Sequence, residues 1–164
     1  MLLGAFNLKI HDEIGRITLT PSEVIVHAGW NPLIKQFSHD ISVLILEDEI
    51  NYSEFIQPAC LLSKNMETNA IDGFVVGWGA EESSIGNHAS KPKKLNITIT
   101  PNEDCFLNNS EITRIAWKES FCAGRRGQGV CRDDSGGGFF ISINNKFYFK
   151  GLLSSSTSEY RNII

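Results

Sequence analysis

Leu95-Asn96-Ile97-Thr98-Ile99-Thr100 alternates apolar and polar residues without a break. A period of two sends Leu95, Ile97 and Ile99 to one face and Asn96 to the opposite, solvated one, which predicts a half-buried strand. Working outward, Arg16-Ile17-Thr18-Leu19-Thr20 alternates in the same way. The apolar runs at Glu23–His27, Ile41–Leu46 and Gly73–Val76 predict more deeply buried strands. Phe139–Ile143 and Phe147–Leu153 flank Asn144-Asn145-Lys146. That pattern predicts a hairpin, because asparagine tolerates the positive φ of tight hairpin turns. No helical period persists beyond about ten residues, and Glu111–Lys118 is the best short helix candidate. Pro21, Pro32, Pro58, Gly86-Asn87, Pro92 and the glycine-dense Gly124–Gly129 break the strands apart. Many short strands joined by polar turns predict an all-β fold, a sandwich or a barrel.

The 164 residues carry 15 Lys+Arg and 19 Asp+Glu, a formal net charge of −4. At roughly 100–200 residues per domain, this length predicts one domain. With 41% hydrophobic and 21% charged residues, the composition is that of a globular chain. No apolar run approaches the ~20 residues that cross a bilayer, so no membrane partner is expected. A mildly acidic chain without a basic cluster offers little to phosphate backbones, so no nucleic-acid partner is expected either. Cys60, Cys105, Cys122 and Cys131 form no C-x-x-C pair, and no histidine lies near a cysteine pair, so no metal is expected. The sequons at Asn51, Asn96 and Asn108 suit a secreted protein. The apolar start, Met1–Phe6, is too short for a signal peptide and lacks a basic leader.

Chemistry concentrates in Gly124-Arg125-Arg126-Gly127-Gln128-Gly129-Val130-Cys131-Arg132-Asp133-Asp134-Ser135-Gly136-Gly137-Gly138. An acid, a serine and three glycines make a backbone free to turn tightly and aim a hydroxyl and its neighbouring N–H groups at one point. Taken alone, Asp-Ser-Gly-Gly better describes an ordinary glycine-rich hairpin loop. A phosphate cradle is disfavoured, since no Gly-Lys-Ser/Thr follows and two aspartates would repel the anion.

In wider context the chain resembles the chymotrypsin/trypsin-like serine proteases, through motifs running in order along nearly its whole length. Val24-Ile25-Val26-His27-Ala28-Gly29-Trp30-Asn31 is similar to the strand and turn before that family's catalytic aspartate. Ser38-His39-Asp40-Ile41-Ser42-Val43-Leu44-Ile45-Leu46 is similar to the strand start that carries it. Ile56-Gln57-Pro58-Ala59-Cys60-Leu61 resembles the interdomain connection, and Val76-Gly77-Trp78-Gly79 the Gly-Trp-Gly opening of the second barrel. Phe121-Cys122-Ala123-Gly124 and Cys131–Gly138 resemble the strand and loop leading to the nucleophile.

The resemblance implies an all-β fold of two six-stranded antiparallel Greek-key barrels, both incomplete here. It implies an incomplete first barrel and connection over 1–62 and an incomplete second barrel over 63–164. It makes Asp40 the triad acid and Ser135 the nucleophile of a serine endopeptidase that forms an acyl-enzyme. Asp133 and Ser135 fall at the oxyanion donors. Gly129 falls at the base of the primary specificity pocket, and Ser154 and Ser156 at its wall. A glycine base provides no carboxylate for an Arg or Lys side chain. Asp134 matches the aspartate that pairs with the amino terminus freed by activation, and Cys105 and Cys122 match a disulfide. Implied partners are protein or peptide substrates, protease-cascade proteins and inhibitors, outside the cell, with no cofactor.

Two departures stand out. Nothing matches the family's Ala-Ala-His-Cys, and His11, His27, His39 and His88 are the only histidines. His27 and His39 occupy non-catalytic motif positions, and His11 lies in an expected turn. Without a base the serine hydroxyl is a poor nucleophile. The family's Gly-Asp-Ser-Gly-Gly also reads Asp133-Asp134-Ser135-Gly136-Gly137 here, placing a carboxylate where an oxyanion develops. The orphaned Cys60, Cys131 and Asp134 suggest a fragment of a longer protease, its histidine supplied from outside. The alternative is a non-catalytic protease homologue acting as a binding or regulatory module.

Overall fold

The structure, a computed structural model, describes residues 1–34, 38–63, 71–79, 89–107, 119–124 and 134–155. The alternating stretch lies in β7 (Lys93–Thr100), with Ile97 buried and Asn96 exposed as its period requires. It pairs antiparallel with β6 (Asp72–Gly77), from Asp72↔Thr98 to Gly77↔Lys93. β9 (Gly138–Ile143) and β10 (Lys146–Leu152) form the expected hairpin. Lys146 already pairs with Ile143, so the turn is Asn144-Asn145 alone, at φ 49° and 60°. Two successive left-handed residues make the turn whose twist matches the strands it joins.

With β5 (Cys60–Leu61) and β8 (Cys122–Ala123), these strands form a six-stranded sheet in the order β5-β10-β9-β6-β7-β8. Its pairings are antiparallel except that β5 runs parallel to β10. The sheet curls around Val75, Ile97, Ala123, Phe139, Ile141 and Leu153, with Phe139 and Ile141 fully buried. α1 (Asn102–Leu107) had no periodic signal, since six residues make fewer than two turns. Its Asn102 side chain donates to the Ser120 carbonyl and accepts from the Cys122 N–H. The Cys105–Cys122 disulfide, implied by resemblance, is formed and ties α1 to β8. The helix candidate Glu111–Lys118 lies outside the described residues.

Before this sheet come two small ones, β1 (Leu2–Leu3) with β2 (Ile17–Thr18) and β3 (Pro21–Val26) with β4 (Ser42–Leu46). Here the expectation of deep burial fails. Val24, Ile25 and Val26 are exposed, as are Val43, Leu44 and Ile45. Both faces of this two-stranded ribbon are open among the described residues, so its apolar content has no layer to pack against. In β6 the run Gly73–Val76 is one-sided for a related reason: Val75 points into the core, while Phe74 and Val76 face out. The all-β expectation holds.

Candidate active site

Asp134-Ser135-Gly136-Gly137 forms the tight turn leading into β9. The Gly137 N–H donates to the Asp134 carbonyl at 3.0 Å, and Gly136 sits at φ 81°. Ser135 keeps a negative φ, so the turn has the negative-then-positive signature of type II. A Cβ on Gly136 would meet nothing within 4 Å, so backbone conformation, not space, calls for glycine there. The turn is fastened to the chain after β10 by Gly136 N–H donating to Leu153 O at 2.7 Å and Leu153 N–H to Gly137 O at 2.9 Å. This leaves Ser135 exposed at the apex.

Asp40 arrives from the other side. It follows His39, itself at φ 59°, and lies two residues before the start of β4. The Ser154 hydroxyl donates to Asp40 Oδ2 at 2.6 Å, within the range of a charge-assisted bond. Leu153 holds the serine turn and its neighbour Ser154 holds the acid, so one short segment serves both. Asp40 and Ser135 line the same cavity, of about 570 Å³, together with Val26, Trp30, Ser42 and Leu152.

None of the histidines among the described residues lines that cavity. His27 and His39 stack on each other, 4.5 Å between centroids, and line a neighbouring space that Asp40 also lines.

Asp134 turns inward beneath the serine and accepts the Gly79 N–H at 2.9 Å. A Cβ on Gly77 or Gly79 would run into its carboxylate, which gives the Gly-Trp-Gly motif a steric reason. Asp133, Gly129 and Ser156 lie outside the described residues, as does Cys131. Cys60 is half-buried in β5 and carries a free thiol.

Sequence reasoning set Ser154 at a pocket wall and missed its bond to Asp40. No local signal marks it, because the two residues lie 114 positions apart.

Comparison with known proteins gives the same frame. The family model described as Trypsin matches residues 2–162. The serine protease gd of Drosophila melanogaster is 29% identical over an alignment 182 residues long, covering 95% of this chain and 34% of that protein. CLIP domain-containing serine protease B4 of Anopheles gambiae is 29% identical, over 84% of this chain and 39% of its own length. Complement C1s subcomponent of Sus scrofa is also 29% identical, over 83% of this chain and 22% of its own length. The chain thus spans well under half of each of these relatives. With a family match over almost every residue and an all-β fold, the chain belongs to the trypsin family of serine proteases.

Proposed function

We propose that this chain supplies the acid, Asp40, and the nucleophile, Ser135, of a secreted serine endopeptidase whose histidine comes from polypeptide outside these 164 residues. The observation that carries the reading is the cavity shared by Asp40 and Ser135, with no described histidine in it and with Ser154 orienting the acid. An imidazole in that space would accept the Ser135 proton as Oγ attacks the scissile carbonyl, and Asp40 would hold its tautomer. The proton then passes to the leaving amine as the acyl-enzyme forms, and water releases the acid product. The apolar faces of β3 and β4, open here, offer a packing surface for the histidine-bearing segment.

Substrate would be an extended peptide. Gly129, matched to the pocket base by resemblance alone, argues against a preference for Arg or Lys, and relatives named as serine proteases, with another named as a complement subcomponent, support protein substrates and inhibitors as partners. Asp134 would receive the amino terminus released on activation. The division at residues 62 and 63 into two incomplete barrels belongs to the same reading.

A second reading has its own observation. Asp133 replaces the glycine whose N–H would bind the oxyanion, and this favours a protease homologue that binds without cleaving. Expressing the chain with its natural upstream sequence and treating it with a fluorophosphonate probe separates the two. Covalent labelling that is lost in Ser135→Ala supports the enzyme. An upstream sequence with no histidine able to reach Ser135, or an unlabelled, folded protein, overturns it in favour of the binding module.

A further inference from the structure

The outer face of the six-stranded sheet carries a row of side chains that the active site does not use. Asn96 pairs in register with Phe74, Phe74 with Phe140, and Phe140 with Phe149, so all four project from one face. The rings touch in sequence: Phe74 and Phe140 stack at 5.8 Å, Phe140 meets Phe149 edge-on at 5.8 Å, and Phe147 meets Phe74 edge-on at 5.4 Å. Phe147 is 55% exposed, so this aromatic row is partly open to water. Beside it lies a hollow of about 490 Å³ lined by Asp72, Phe74, Asn96, Thr98 and Ser142. Asn96 is exposed, and with Ile97 and Thr98 it forms an N-glycosylation sequon.

We infer that Asn96 carries an N-linked glycan whose first sugars occupy this hollow and shield the aromatic row. The donor is an oligosaccharide linked to a lipid pyrophosphate. The Asn96 amide nitrogen bonds to C1 of the first sugar as the C1–oxygen bond breaks, the lipid pyrophosphate leaves with the electron pair, and one amide proton is lost to a base. In the folded chain Thr98 donates its hydroxyl to Asp72 at 2.7 Å, and β7 is committed to β6 on one side and β8 on the other. Attachment therefore precedes closure of the β6–β7 pair. Once the strands pair, register sets the first sugar beside Phe74, whose ring already carries the Lys94 ammonium at 4.2 Å, so the sugar's apolar C–H face extends the cover across the hollow towards Ser142 and the open ring of Phe147.

The inference takes from the proposed function only entry into the secretory pathway. An attached secretion leader supplies that entry in the test, so failure here leaves the protease reading standing. The full chain is expressed behind the leader in eukaryotic cells, and its peptides are analysed by mass spectrometry before and after glycosidase treatment, in both secreted and cell-retained pools. The Asn96 peptide is expected to carry N-acetylhexosamine-based glycans in both pools, lost in Asn96→Gln and in Thr98→Ala but kept in Thr98→Ser. An unmodified Asn96 peptide in both pools overturns the proposal, whether or not the chain folds. Phe74→Ala should leave occupancy unchanged while releasing the native glycan to the glycosidase several-fold faster. An unchanged release rate would remove the shielding role.

Discussion

Ser154 donates its hydroxyl to Asp40 at 2.6 Å, joining the chain that follows the last described strand to the start of β4. The acid therefore depends on the six-stranded sheet for its orientation, although it belongs to a separate two-stranded ribbon. Removing that donor frees the carboxylate to rotate and leaves an anion short of one hydrogen bond. In a protein that includes the histidine-bearing segment, Ser154→Ala is expected to lower kcat about tenfold, equivalent to ~1.4 kcal/mol of transition-state stabilisation. Ser154→Thr should restore most of the loss. Steady-state kinetics check this, and equal activity in all three proteins would dismiss the orienting role.

Asp133 presents the opposite opportunity. If its carboxylate opposes a developing oxyanion, Asp133→Gly should raise the rate of fluorophosphonate labelling by up to about 10²–10³, the scale of one oxyanion donor. No gain in labelling would count against that account of the position.

Glycines around the serine turn serve different purposes, and substitution separates them. At Gly136 the cost of Ala is conformational, about 1–2 kcal/mol for a left-handed residue, with no clash. At Gly79 the new methyl displaces the Asp134 carboxylate and breaks its 2.9 Å bond to the Gly79 N–H. Gly79→Ala should therefore unfold at lower denaturant than Gly136→Ala, as chemical denaturation followed by tryptophan fluorescence would reveal.

Cys105 and Cys122 close a loop of 17 positions and are both buried. Chain entropy alone assigns such a crosslink about 3 kcal/mol. The double Cys→Ser variant should lose roughly 2–4 kcal/mol of stability and become insensitive to reductant in unfolding experiments. A variant as stable as the parent would mean that the unfolded chain gains little freedom from losing the bond.

The two faces of β9 offer a paired control. Phe139 is fully buried and touches Phe121 edge-on at 5.6 Å, whereas Phe140 lies on the outer face. Phe139→Ala should cost about 3–5 kcal/mol. Phe140→Ala should cost much less, because its ring is already partly solvated. Similar losses from both would mean that the outer aromatic row is itself a core.

Local pattern was enough for the elements whose two sides face different solvents. β7 and the β9–β10 hairpin could be read from alternation and from Asn144-Asn145, because a strand with one wet face writes a period of two into its own residues. Motif order likewise pointed to the Cys105–Cys122 pair, which the structure forms. Burial of β3 and β4 was misread, since an apolar run records what a strand is suited to pack against, not whether that layer is there. Tertiary structure alone decided that Ser154 reaches Asp40, that Asp134 lies against Gly77 and Gly79, and that Asp40 and Ser135 open into one cavity. Each of these relates residues at least 50 positions apart, and only the tertiary fold brings them together.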